Sequence, residues 1–311
     1  MVKTIERKNR TIIGWQGITV ETPDDWGLAA FSGDSEKGYL RADSPISTSV
    51  EIRWAAAKSA PDLAARADEF LSLMKKTSRK RKTKFTSKIE AKKDAEPGTP
   101  VKFTWKSDRN GYGKLIYCPD CGRVVIAQVV TPSDNNCTSM AFGVVDSIRD
   151  HSEPGWRDWS IFGIRAAVPE EFHLEKQTLL SAYTLLRFKG RSGELTIEQW
   201  GLAENLLKKY SLEEWYRKDS LAQVKGFKTA LETIDEPGHM AMRISGQKIG
   251  LVNNIKAIAK SITLRPLPVK LSGYVWHCPE VNRLFSVRLV NNNAALIESI
   301  RERMFCHEDL L

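Results

Sequence analysis

The chain has 311 residues, of which 41% are hydrophobic and 27% charged, with a net charge of +9. This balance is that of a soluble globular protein, and the length suffices for two domains that each bury a core. No apolar run approaches the ~18 residues needed to cross a bilayer, so no membrane-spanning helix is expected and no membrane among the partners.

In chain order, 18–21 alternates and stops at Pro23, a strand and turn signal. Stretches 27–31, 39–41 and 49–54 read as three more strands. Ala60-Pro61-Asp62 then opens a helix with Leu63, Ala64, Ala67, Phe70, Leu71 and Met74 on one face. Alternation returns over 82–91 and 101–105. Stretches 115–118 and 123–130 form a hairpin around Pro119-Asp120-Cys121-Gly122, and 140–151 reads as a closing helix. The second half follows the same order, with strands at 164–168, 182–187, 195–200, 227–234, 241–244, 274–278 and 284–290. Its helices are expected near 211–224 and over 294–306. An insertion at 247–271 has a core, 251–260, that reads as an amphipathic helical turn or two.

The sameness of the two halves extends to individual residues. Gly17, Pro23, Trp26 and Trp54 recur as Gly163, Pro169, Phe172 and Trp200 at a constant offset of 146. Glu96-Pro97-Gly98 recurs as Glu236-Pro237-Gly238. Tyr117-Cys118-Pro119-Asp120-Cys121-Gly122-Arg123 recurs as His277-Cys278-Pro279-Glu280-Val281-Asn282-Arg283, and Ser147-Ile148-Arg149 as Ser299-Ile300-Arg301. A tandem duplication follows, with domains at 1–153 and 157–311 joined at Glu153-Pro154-Gly155. Strands, helix, strands, helix gives an expected α+β class, each domain an antiparallel sheet flanked by helices. Trp26, Trp54 and Trp200 are expected in the core, and Trp156 and Trp159 at the junction.

With that order, Gly17-Ile18-Thr19-Val20-Glu21-Thr22-Pro23-Asp24-Asp25-Trp26 resembles the opening strand and turn of the Mog1/PsbP/DcrB-like family. Gly163 to Phe172 repeats it, with Phe in place of Trp. The resemblance covers scaffold positions and carries over no functional residue. It implies a binding or assembly protein rather than an enzyme.

The sharpest chemical signal is Cys118-Pro119-Asp120-Cys121-Gly122, the shape of a zinc knuckle, in which Pro starts a tight turn and Gly permits a positive φ. A knuckle supplies two of four ligands. The closing helix, running back antiparallel, would bring His151 to Cys118 and Cys121, with Asp150 or Glu153 completing the set. The same geometry in the second half gathers His277, Cys278, Cys306 and His307. Strand neighbours point to opposite faces, which counts against His277 and Cys278 converging. Buried thiols, or Cys118–Cys121 and Cys278–Cys306 disulfides, are the rival readings; five cysteines, an odd number, favour thiols or metal ligands. Any zinc would be structural. His173 and His239 stand in or beside turns and read as surface residues.

Ten of residues 75–93 are Lys or Arg, against the single acid Glu90, and the second half has no counterpart. Arg79, Lys80, Arg81, Lys82, Lys84 and Lys88 could neutralise phosphates of RNA or DNA. Lys80, Lys82, Lys84, Lys88 and Lys92 share parity and would line one sheet face or edge. The same run also reads as a solvated, aggregation-resistant strand edge. No phosphate loop and no nucleophile elbow occurs. The expectation is therefore a non-enzymatic, tandem-domain binding or assembly factor with a protein or ribonucleoprotein partner. The alternatives are a nucleic-acid binder acting through 75–93 and a cysteine- or metal-dependent enzyme. Residues 1–10 lack an apolar signal core, so the expected address is the cytoplasm.

Overall fold

The computed structural model describes residues 10–92, 95–134, 137–151, 153–249, 269–291, 293 and 295–307. It forms two compact units, Met1–Ile161 and Phe162–Leu311. Strand accounts for 53% of the described residues and helix for 18%, which corrects the expected α+β class. Each unit is built on a large antiparallel sheet, and apart from the 18-residue helix over 63–80 the helices are short. The expected helix at 251–260 of the insertion lies outside the described residues.

The first unit runs β1 (Arg10–Trp15), β2 (Ile18–Pro23), β3 (Gly27–Gly33), β4 (Lys37–Asp43), β5 (Ser49–Ala56), α1 (Leu63–Lys80), β6 (Thr86–Glu90), β7 (Val101–Lys106), β8 (Arg109–Cys118), β9 (Arg123–Pro132), α2 (Thr138–Asp146), β10 (Arg149–Asp150) and β11 (Trp156–Ile161). Seven strands form one sheet in the order β3-β4-β5-β9-β8-β7-β6. A smaller sheet carries β10-β2-β1-β11 in that order. Because β11 pairs with β1, the residues after the expected junction belong to the first unit.

The local chemistry accounts for these elements. Asp62 caps α1 by accepting the amides of Ala64 and Ala65, and the helix lays Leu63, Ala67 and Leu71 over Val101, Phe103, Trp105 and Leu115. Strand β8 starts six residues before the expected 115, because Gly111 and Gly113 punctuate the sequence like a loop. Both lie in the strand, where they make room for aromatic rings. A Cβ on Gly111 would strike the ring of its cross-strand partner Trp105, and one on Gly113 the ring of Phe103.

The second unit runs β12 (Ile164–Pro169), β13 (His173–Leu180), β14 (Tyr183–Gly190), β15 (Gly193–Gly201), α3 (Ala203–Leu206), α4 (Leu212–Asp219), β16 (Phe227–Glu236), β17 (His239–Lys248), β18 (Lys270–Cys278), β19 (Arg283–Asn291), α5 (Ala295–Arg301) and β20 (Met304–Phe305). Its large sheet has the order β13-β14-β15-β19-β18-β17-β16, strand for strand that of the first unit. Helix α4 is capped by Ser211 and Glu214 in a reciprocal box. Trp215 and Tyr216 of α4 bury against Trp200, Met242, Val275 and Leu284.

The repeat is out of step by one residue in β5 and β15. Ala56 faces Arg123, whereas Gly201 faces Arg283, an offset of 145 rather than the 146 that aligns the tryptophans. Trp54 therefore pairs with Val125, whose neighbours Val124 and Ile126 pack on the α1 side, and points away from that helix. Trp200 pairs with Leu284 and meets Trp215 at 5.1 Å on the α4 side. Both rings are buried, but on opposite faces of equivalent strands.

Both expected closing helices are shorter than their patterns. Helix α2 ends at Asp146 and the chain re-enters the small sheet as β10, with Arg149 opposite Thr19 and Asp150 opposite Ile18. Helix α5 ends at Arg301, and β20 sets Phe305 opposite Arg165. No helix among the described residues is long and apolar enough to cross a membrane.

Candidate metal centres

The turn after β8 and the strand β10 bring four donors together. Ligand atoms of Cys118, Cys121, Asp150 and His151 all lie within 4.8 Å of one another. Cys118 Sγ is 3.9 Å from the His151 ring nitrogens, and Cys121 Sγ donates to Asp150 Oδ2 at 3.2 Å. Cys118, Cys121 and His151 thus meet as the sequence pattern implies, and of the two acids weighed for the fourth place, Asp150 takes it. His151 arrives on a strand end rather than a helix end, with a left-handed backbone (φ 49°) anchored by its amide on Gly17 O at 2.7 Å. Gly122, also left-handed (φ 63°), closes the knuckle by donating its amide to Cys118 O at 3.0 Å.

Arg123 lies directly behind this cluster. Its Nε donates to Asp150 Oδ2 at 3.1 Å and its Nη2 to Asp150 Oδ1. Nη1 donates to the carbonyls of Gln16 and Ser35. Both charged groups are buried, so each depends on the other. Burial, then the Asp150 charge, pushes the Cys121 thiol up to about 12.

The second unit gathers His239, Cys278, Cys306 and His307, again with ligand atoms within 4.8 Å. Cys306 Sγ is 3.2 Å from His239 Nε2 and 3.3 Å from His307 Nδ1, and Cys278 Sγ is 3.4 Å from His307 Nδ1. A tetrahedron with Zn–S of about 2.3 Å and Zn–N of about 2.0–2.1 Å has S···N edges near 3.6 Å, so these separations suit a zinc-sized ion. The partners of the outer ring nitrogens fix the tautomers. His239 Nδ1 is 2.8 Å from Pro237 O, an acceptor only, so it carries the proton and leaves Nε2 free to ligate. His307 Nε2 faces Glu280 Oε2 at 3.4 Å, leaving Nδ1 for the cluster. Burial, then Cys278, pushes the Cys306 thiol up to about 11.

Strand register makes three of the four positions equivalent between units. Cys118 and Cys278 end β8 and β18 opposite Arg123 and Arg283. Asp150 lies opposite Ile18, and Cys306 follows the Phe305–Arg165 pair, so it falls at Ile164, the repeat mate of Ile18. His151 and His307 come next in each chain. Their outer nitrogens face the acid of the knuckle turn in both units, Asp120 at 3.5 Å and Glu280 at 3.4 Å. Only the fourth donor differs. Cys121 has become Val281, and His239, just after the Pro237-Gly238 turn, takes its place.

His277 is not in the cluster. It pairs with Leu284 on the α4 side of β18, whereas Cys278 faces the other way, so strand alternation decides against it. Its Nε2 is buried without a partner, and burial lowers its pKa. His239, expected at the surface, is half-buried and stacks on His307 with ring centroids 5.5 Å apart. None of the five cysteines forms a disulfide, and Cys137, at the start of α2, belongs to neither cluster.

The basic segment does not form the expected row of lysines. Lys80 ends α1, Lys82 stands in a left-handed turn (φ 57°), and β6 begins only at Thr86, so just Lys88 lies on the edge strand. Lys84 precedes that strand, and Arg79, Lys80, Arg81, Lys82, Lys84 and Lys88 are all exposed. No family model matches the chain, and no curated protein matches it.

Proposed function

We propose that this protein is a non-enzymatic binding or assembly scaffold whose two β units are each locked by a structural zinc ion. The observation that carries this reading is the twin cluster. Two copies of one fold keep four donors within 4.8 Å although one ligand has moved to another turn. A thiol pair kept only for packing gives no reason for His239 to stand where Cys121 is lost. Four protein donors fill a tetrahedron and leave no open position for a substrate, which favours a structural over a catalytic ion. Each set ties the end of a central hairpin to the chain leaving the closing helix, so the metal would clamp parts distant in sequence. The resemblance to Mog1/PsbP/DcrB-like proteins points to binding as well. The test is elemental analysis of the full chain after zinc reconstitution and gel filtration. Two zinc ions per chain are expected; a value near zero sinks the reading.

A second reading, nucleic-acid binding through 75–93, is favoured by the exposure of the segment's cations, of which only Lys88 is ion-paired among the described residues, with Glu90 at 2.8 Å. Salt-dependent binding of RNA or DNA that survives Lys80→Glu, Lys82→Glu and Lys84→Glu together rules it out.

A further inference from the structure

The α4-side face of the second unit's sheet carries a cleft of about 810 Å³ where β14, β15 and β19 meet the segment leading into β16. Its lining includes Arg187, Lys189, Arg191, Lys225 and Lys248. The acids there are Glu194 and Glu198. Glu198 is already consumed in the floor, where it accepts from Arg288 Nη2 at 2.6 Å, Tyr183 Oη at 2.7 Å and Ser220 Oγ at 3.0 Å. Lys189 lies 3.9 Å from Glu175. Arg187, Arg191, Lys225 and Lys248 form no ion pair among the described residues, so the cleft keeps a positive excess that Glu194 alone opposes.

The first unit's counterpart cleft is smaller, about 420 Å³, and sets four arginines against Glu51 and Asp108. Arg41 there, at the position equivalent to Arg187, is engaged by Asp43 at 2.6 Å.

We infer that this cleft binds a small polyanion bearing phosphate groups. Arg187 and Arg191 offer planar forks that match phosphate oxygens two at a time, and Lys225 and Lys248 supply point charges. The volume lies within the ~300–1,000 Å³ range of small-molecule sites, which selects a compact ligand over a strand. The inference is independent of zinc and of segment 75–93, which belongs to the other unit.

The test is isothermal titration of the full chain at low salt with inorganic tripolyphosphate and with a nucleoside triphosphate. Saturable one-to-one binding is expected. Lys225→Glu combined with Lys248→Glu alters two exposed side chains and should weaken it by at least ~10-fold, the scale of a lost charge-assisted contact. Arg79→Glu with Lys80→Glu, in the other unit, should leave it unchanged. The inference is overturned if neither phosphate ligand saturates, or if the Arg79/Lys80 variant loses as much affinity as the cleft variant. Binding of single-stranded RNA through the cleft residues without tripolyphosphate binding overturns it too.

Discussion

The sharpest consequence of the second centre is a contrast between two histidines. His239 Nε2 faces Cys306 Sγ at 3.2 Å, while His277, next in sequence to the proposed ligand Cys278, faces the opposite side of β18. His239→Ala should therefore lower the zinc content from two ions per chain to one, and His277→Ala should leave it at two. The stability effect follows from linkage. A ligand present at a thousandfold its dissociation constant stabilises the folded state by about 4.1 kcal/mol. For a unit of this size each kcal/mol shifts the midpoint by about 2–4 °C, so loss of the ion should lower the second unit's transition by about 8–16 °C. The assay is zinc stoichiometry alongside thermal unfolding with and without added zinc, for wild type and both variants. His277→Ala can lose stability through packing, but that loss should not depend on zinc. A zinc-dependent loss in His277→Ala, with His239→Ala behaving as wild type, would refute the assignment of ligands by strand face.

Two further expectations concern the first unit. Arg123→Met removes the partner of buried Asp150 and should cost about 3–5 kcal/mol in zinc-free protein, read by denaturant unfolding, because the carboxylate is left buried and unpaired. A cost near zero would mean that Asp150 is not held as an ion there. Asp34 accepts the amides of Glu36 and Lys37 at 2.8 and 3.0 Å, and these bonds hold its carboxyl below the ordinary value of 3.8. A lowered folded-state pKa adds stability that is fully present above the unfolded value and is lost as pH falls through the folded one. Asp34→Asn, which can still accept both amides, should flatten the acid limb of the stability curve below about pH 4. Identical limbs for variant and wild type would show that these amides do not favour the ionised form.

What the sequence made legible was local or repeated. Cys118 to Gly122 reads as a tight turn that sets two thiols together, because Pro starts it and Gly permits its left-handed step, and the approach of His151 and His307 follows from hairpin-and-return topology. The two misjudged histidines are a matter of strand geometry. His277 borrows its significance from adjacency to Cys278, yet adjacency along a strand is separation across a sheet. His239 looks like a turn residue, but the β17–β18 register sets its neighbour Met240 opposite His277, which brings it to the same sheet end as Cys278. The place where a ligand has been lost, Val281, was the signal to look in the neighbouring turn. The class was misjudged because Val144, Val145 and Ile148 continue a helical spacing while the backbone after Asp146 returns to pair with β2.

The charges at the two centres give the ligand exchange a physical reason. A divalent ion held by two thiolates, one carboxylate and a neutral imidazole would leave one negative charge, and in the first unit Arg123 sits buried against that carboxylate, where it would balance it. Two thiolates and two imidazoles around the same ion are neutral, so the second centre, with Cys306 in the carboxylate's place, needs no buried counter-ion. The side chain of Arg283, the repeat mate of Arg123, lies instead where a Cβ on Gly163 would be, and is only partly buried. Loss of the acid and release of the arginine are one change, because a buried arginine depends on its buried carboxylate.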